Sequence, residues 1–264
     1  MAVPVVSVLM GVRDGAAWLS RAIASVFAQT LPDLELVVVD DGSTDGTAAL
    51  LAGVRDPRLV TERQARAGLA VALNRALGRA RAPLIARLDA DDVALPTRLE
   101  RQRAFLQAHP EVGLLGTAAR VVDASDRDVL ITRPPEDDRA IRRALIRRNP
   151  FVHSSVMLRR SLVFSVGGYD VSFAVAQDYD LWLRLSAITR MANLAEPLVI
   201  RHLVAGRVTA ARDGERLRAE ARARWRAVRA GAYPPWGALF ALRPLLALAL
   251  PRSLRGPLRR ALGR

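Results

Sequence analysis

Leu84-Ile-Ala-Arg-Leu-Asp-Ala-Asp-Asp92 is the stretch that decides the fold. A short apolar run, Leu84 to Ala86, leads straight into Asp89, Asp91 and Asp92. A run of that size is a buried strand candidate, so the three carboxylates stand where a strand leaves the core. Carboxylates this close repel one another and lose hydration. A hard, oxygen-preferring cation such as magnesium or manganese, or a ligand carried by one, offsets that cost. The alternative is an acidic surface turn capping the next helix, and this segment alone leaves both open.

Working outward, the same arrangement recurs upstream. Residues 34–39 are a compact apolar run that ends at Asp40 and Asp41. Gly42 permits a sharp turn, and Ser43 or Thr44 is suited to cap the following helix. A plain turn explains Gly42 to Thr44 but not two adjacent carboxylates at the end of a buried strand. Further strands are expected at 5–12 and 58–62, and helices at 16–29, 44–51, 67–80 and 96–108, the last opened by Pro96. Strand and helix therefore alternate four times in about 105 residues. The expected fold class is α/β, a doubly wound, mostly parallel sheet with flanking helices. Ligands in such sheets sit beyond the carboxyl ends of the strands, where Asp40, Asp41, Asp89, Asp91 and Asp92 all fall.

Beyond 112–122 the pattern loosens. Residues 123–137 read as a surface loop, 136–147 as a basic helix, 151–158 as a strand, 177–185 as a helix and 194–200 as a strand. The chain has 264 residues, 51% of them hydrophobic, enough for a sizeable core. It has no cysteine, which excludes disulfides and thiolate metal sites. The net charge is +14, and every one of the 40 Lys+Arg residues is arginine. Residues 212–264 carry 13 arginines against Asp213, Glu215 and Glu220, so the tail holds +10 and the rest +4. The N-terminus, MAVPVVSVLMGV, lacks a basic leader and reads as a first strand and not a signal peptide. No stretch supplies the roughly 20 uninterrupted apolar residues of a spanning helix.

Four segments together carry a resemblance: VSVLMGVRDG at 6–15, VVVDDGSTDGT at 37–47, RLDADD at 87–92 and QDYDLWLRL at 177–185. In order and spacing they resemble the family 2 inverting glycosyltransferases of the GT-A fold, over about residues 3–210. The resemblance implies a nucleotide-sugar donor, most often a uridine diphosphate sugar, and a divalent cation, Mn or Mg. It implies that Val12, Asp40, Asp41, Arg66 and Asp89 line the nucleotide, with Asp41 at the nucleobase and Asp89 near the ribose. Asp91 would bind the cation, joined by His202, with Asp92 in support. Asp178 would be the general base, and His153 and Gln177 would face the acceptor. The chain departs from the family in having Gly11-Val12-Arg13-Asp14 where Pro-Val-Tyr-Asn is common, Gln177 where glutamate is common, and Arg201 directly beside His202.

The residues permit blander roles as well. Asp178 fits a helix N-cap before residues 179–185, and a helix N-terminus would help keep it ionised. His202 and His153 fit ordinary structural histidines, Trp182 a core residue, and Arg66 a solvated helix start. Two units are expected: a GT-A-like nucleotide-sugar transferase domain at 1–210 and a basic amphipathic helical tail at 211–264. The tail, with arginines on one face and Trp, Phe and Leu on the other, suits an anionic membrane surface. That surface would suit a cytoplasmic enzyme, peripheral on the inner face of the cell membrane, acting on a glycan or lipid-linked acceptor. Nucleic acid is not an expected partner, because no recognisable binding module accompanies the charge. A sugar-nucleotide nucleotidyltransferase is the rival enzyme class, although 11–15 is a poor phosphate loop.

Overall fold

The computed structural model describes residues 3–203 and 213–249. The first half follows the expected alternation. Strands β1 (Val6–Val12), β2 (Leu34–Asp41), β3 (Leu59–Gln64) and β4 (Leu84–Arg87) are joined through helices α1 (Ala16–Phe27), α2 (Thr47–Gly53) and α3 (Leu69–Arg79). They pair in parallel in the order β3-β2-β1-β4. The register sets Val12 beside Asp40 and Asp41 beside Gln64, so the acidic ends are level at one edge.

Strand β2 is buried along its whole length. Its side chains alternate between two cores, as the two-residue period of a strand requires. Leu34, Leu36 and Val38 join Leu19, Ile23 and Val26 of α1. Val37 and Val39 join Leu73, Ala76 and Leu77 of α3. A helix layer therefore covers each face, the arrangement that a sheet buried on both sides demands.

The second half is more mixed. It holds β5 (Val93–Ala94), α4 (Arg98–Ala108), β6 (Val112–Val122), β7 (Asp128–Ile131), α5 (Asp138–Leu145), β8 (Met157–Arg159), α6 (Arg160–Ser165), α7 (Gln177–Leu185) and β9 (Arg190–His202). Strand β8 runs antiparallel between β4 and β6, and β9 returns parallel to β6. The strand expected at 151–158 is instead a 3-10 turn, His153–Ser155, followed by only three residues of strand. Its polar side chains explain this: Ser155 and Ser154 bond to Thr117 and to the acidic turn and not along a strand edge. The loop expected at 123–137 contains β7, paired with β6. Asp137 caps α5 by accepting the Ala140 N–H, which delays that helix until Asp138.

Two further helices follow: α8 (Asp213–Arg229) and, after a 3-10 turn at Pro235–Gly237, α9 (Ala238–Ala249). Helix α9 continues through Pro244. Helix α8 contributes Ala223 and Ala227 to the same core as Leu181 and Trp182 of α7. Among the described residues no helix is long and apolar enough to cross a membrane.

Gly42 has φ of +70°, and a Cβ there would lie 2.8 Å from the Arg66 backbone nitrogen. Gly42→Ala should lower the unfolding free energy by about 1–2 kcal/mol from the left-handed backbone alone, with the backbone contact adding to it. Urea unfolding followed by circular dichroism measures this, and an unchanged midpoint would contradict it.

Candidate functional site

Strand β4 delivers the acidic turn, and a buried arginine underlies it. Arg87 is 1% exposed and its guanidinium bonds Asp89, while its Nε and Nη1 have no hydrogen-bond partner. Arg98 of α4, equally buried, donates to the Arg87 and Val156 carbonyls at 2.7 and 3.2 Å. Burial raises the Asp89 carboxyl, but the Arg87 charge, with the Ser154 and Arg87 hydrogen bonds, outweighs it and holds Asp89 well below the usual range. Asp92 is fully buried, and burial together with the charges of Asp89 and Asp91 raises it.

One hydroxyl links the two carboxylates. Ser154 Oγ accepts the Asp89 N–H at 3.1 Å and lies 2.6 Å from Asp89 Oδ2 and 2.5 Å from Asp92 Oδ2. A serine has a single hydroxyl hydrogen, so it satisfies only one carboxylate at a time. A proton on Asp92, or a cation nearby, resolves the conflict. One carboxylate oxygen from each of Asp89, Asp91 and Asp92 lies within 4.8 Å of the other two. Three clustered carboxylates are the donor set of magnesium or manganese.

His202, at the end of β9, stands beside this turn. Its backbone N–H donates to Asp92 Oδ1 at 3.1 Å, and its Nδ1 donates to the Asp91 carbonyl at 2.8 Å. Nε2 lies 3.0 Å from Asp126 Oδ1, and the ring packs against Trp18. In this arrangement the imidazole positions the Asp91 backbone, and the carboxylate cluster is drawn from the three aspartates.

The nucleotide-side residues form two interlocked loops. Asp14 N–H donates to Ser43 Oγ, Thr44 N–H to Asp14 Oδ1, Gly15 N–H to Thr47 Oγ1 and Ala16 N–H to Asp45 Oδ2. Ser43 and Thr44 therefore do not cap the helix after them; Thr47 and Asp45 serve the N-terminus of α1 instead. Asp41 is filled by its own chain. It accepts from Gln64 Nε2, Ala67 N–H and Gly68 N–H at 2.6, 2.7 and 2.8 Å. Asp40 is different. Its Oδ1 accepts the Ser43 N–H, but its buried Oδ2 has no hydrogen bond and only the exposed Arg63 guanidinium at 3.5 Å. Val12 is buried at the end of β1 beside Asp40, and Arg66 is exposed on the loop against Gly42.

On the other side, α7 presents Asp178. The helix N-cap is Ala176, so Asp178 is not the cap but the second helical residue. Its Oδ2 accepts from Asn149 Nδ2 at 2.7 Å. Burial, aided by the Asp89 charge, raises its pKa despite the bonds from Tyr179 N–H and Asn149. Helix-end stabilisation is therefore outweighed. Asp180 pairs with Arg184 at 2.8 Å and is structural. Gln177 is largely buried. His153 bonds the Tyr169 hydroxyl at 2.9 Å and packs edge-on to Tyr169 and Trp182. Burial and the Arg87 charge push its pKa down to about 3, leaving a neutral ring.

Among the described residues only three non-glycines have positive φ: Asp14, Asp126 and Ala176. They adjoin the loop around Ser43, His202 and Asp178 in turn. Backbone strain of this kind concentrates where a site must be held in place.

This geometry has counterparts in known proteins. The pattern described as "Glycosyl transferase family 2" matches residues 7–166. The chain belongs to glycosyl transferase family 2. The amylovoran biosynthesis glycosyltransferase AmsE of Erwinia amylovora is 34% identical over 186 residues, 69% of either chain. TarS of S. aureus, solved in complex with UDP-GlcNAc, superimposes with a TM-score of 0.69 at 20% identity, covering 83% of this chain and 66% of that one. The mannosyltransferase PcManGT from Pyrobaculum calidifontis, with GDP-Man and Mn2+, gives 0.65 at 24%, covering 98% and 80%. The fold is the GT-A fold.

Ser154, Asn149, Tyr169 and Arg87 were not singled out from the sequence. Arg87 was within the decisive stretch, but nothing in it distinguishes a buried arginine from a solvated one. Arg87→Met leaves Asp89 without its counter-ion. The cost at neutral pH should be about 2–3 kcal/mol, below the ~3–5 of a fully buried pair because Asp89 is partly solvated. The depressed Asp89 pKa contributes stability above the unfolded value of about 3.9, lost as pH falls through the lower folded value. The gap between variant and wild type should therefore narrow below about pH 4, and urea titrations across pH read it.

Proposed function

We propose that this glycosyltransferase moves a sugar from a nucleoside diphosphate donor to a hydroxyl of a glycan or lipid-linked acceptor, with inversion. The observation that carries this reading is the three-carboxylate cluster with Asp178, close enough to feel the Asp89 charge, on the neighbouring helix. The UDP-GlcNAc bound to TarS favours a uridine diphosphate donor, and the Mn2+ of PcManGT favours manganese. Asp91, with Asp89 and with Asp92 behind it, would hold a divalent cation. When bound, that ion neutralises charge developing on the leaving diphosphate.

The other roles belong to the chain itself. Asp40, whose Oδ2 has no hydrogen bond, is better placed than the saturated Asp41 to accept an N–H of the nucleobase. Val12 flanks the base, Asp89 reaches toward the ribose, and exposed Arg66 toward the diphosphate. Asp178 accepts the proton of the acceptor hydroxyl as that oxygen bonds to the anomeric carbon. The bond from that carbon to the diphosphate oxygen breaks, and the diphosphate departs with the electron pair. His153, neutral and fixed by Tyr169, lines the acceptor side with Gln177. His202 supports the Asp91 backbone, and a turn of its ring toward the cluster would make it a further ligand.

The tail extends this reading to a surface. Trp225, Trp236, Leu239, Leu242 and Leu245 are exposed on α8, the 3-10 turn after it and α9, within a segment of net charge +10. Apolar side chains among arginines suit the interface of an anionic bilayer, consistent with a lipid-linked acceptor. Flotation with phosphatidylglycerol vesicles should retain the protein, while Trp236→Ala with Leu239→Ala should release it. Equal binding to neutral vesicles would count against the idea.

A thermal-shift screen of nucleotide-sugars tests the donor. Ligand at 100 times its Kd stabilises by about 2.7 kcal/mol. One donor should raise Tm only when manganese is present, and Asp91→Asn should abolish that dependence. With the donor found, Asp178→Asn should lower kcat by about 10²–10⁴. Because the Asp178 pKa is raised, the wild-type rate should climb with pH through an inflection above the ordinary ~3.9. A metal-independent shift or an active Asp178→Asn variant would refute the assignment.

A further inference from the structure

Helix α8 lies beyond the family-matched residues 7–166, yet it carries a buried arginine at the acceptor side. Arg224 is 3% exposed. Its Nε donates to the Tyr179 hydroxyl at 2.7 Å, and its Nη2 to the Arg147 carbonyl at 2.9 Å and to Glu220 Oε2 at 3.1 Å. Its Nη1 donates to the Phe240 carbonyl at 3.2 Å. The Tyr179 hydroxyl in turn donates to the Leu145 carbonyl. Burying a guanidinium is expensive unless it is paired and its donors are filled; Glu220 and Phe240 take two of these bonds, and the other two reach two particular segments.

Those segments are the two that build the Asp178 pair. Tyr179 is the residue after Asp178. Leu145 and Arg147 precede Asn149, whose Nδ2 donates to Asp178 Oδ2 at 2.7 Å. The Asn149 amide is itself oriented, because its Oδ1 accepts the Phe151 N–H at 3.1 Å. We propose that Arg224 is a positioning residue for the acceptor-side base: it clamps the first turn of α7 to the 145–149 segment and so fixes the Asn149–Asp178 contact. Helix α8 is thereby part of the active-site scaffold and not an appendage to it. This rests on the reading of Asp178 as the base.

The test uses the full-length protein labelled with 13C-aspartate, whose carboxyl resonances are titrated by NMR, with Asp178→Asn identifying the signal. The other groups facing Asp178 are Asn149, the Tyr169 hydroxyl and the Asp89 charge. Arg224→Gln should loosen the Asn149 contact, which favours the ionised form, and move the Asp178 midpoint to higher pH. With the donor identified by the manganese screen, the same variant should lose roughly tenfold to a hundredfold in kcat with donor KM within about twofold. Leu217→Ala, a buried position on α8 about two turns before Arg224, controls for simple destabilisation of that helix. It should lower Tm and leave the Asp178 midpoint in place.

If Arg224→Gln leaves the midpoint and kcat unchanged, or Leu217→Ala moves the midpoint equally, the positioning role is overturned. If instead Asp178→Asn keeps its transfer activity, the base assignment fails, while the NMR midpoints still decide whether Arg224 sets that contact.

Discussion

The buried guanidinium of Arg87 beneath three carboxylates is the constraint from which the site follows. Arg87 sets a positive charge inside the sheet beside Asp89, whose carboxylate stands within 4.8 Å of those of Asp91 and Asp92. Arg87 holds Asp89 ionised, and Asp92 is pushed the other way by burial and by its neighbours. Ser154, with one hydrogen, stands between two of the carboxylates. Such a cluster stores electrostatic repulsion that a divalent cation relieves, which is how a fold creates affinity for an ion at a chosen place.

The two halves of the site are built by different means. The side around Asp40 is made by local bonds from backbone N–H groups to side chains, which lace two loops together through Asp14, Ser43, Thr44, Asp45 and Thr47. The acceptor side is assembled from distant pieces. Asn149 with His153, Tyr169 and Asp178 come from three separate stretches, and α8 packs behind them.

The parallel half was readable because its signals are local. Apolar runs ending in Asp, a glycine at a sharp turn and helical spacing between them all act within a few residues. The 3-10 turn at His153–Ser155 was misread as a strand, since its polar groups are satisfied by Thr117, Asp89 and Asp92, which are far away in sequence. The proposed preference for Asp40 over Asp41 has the same origin. Adjacent carboxylates look alike in a sequence, but Gln64, Ala67 and Gly68 occupy one of them and leave an oxygen of the other without a hydrogen bond.

By itself the sequence determined the doubly wound α/β order, the edge at which the acids gather and the family, because strand periodicity and motif spacing are short-range properties. Only the tertiary structure decided which carboxylate is ionised, which histidine nitrogen is engaged and what orients Asp178. Those depend on burial and on partners brought together from across the chain, and desolvation has no signature in the order of residues.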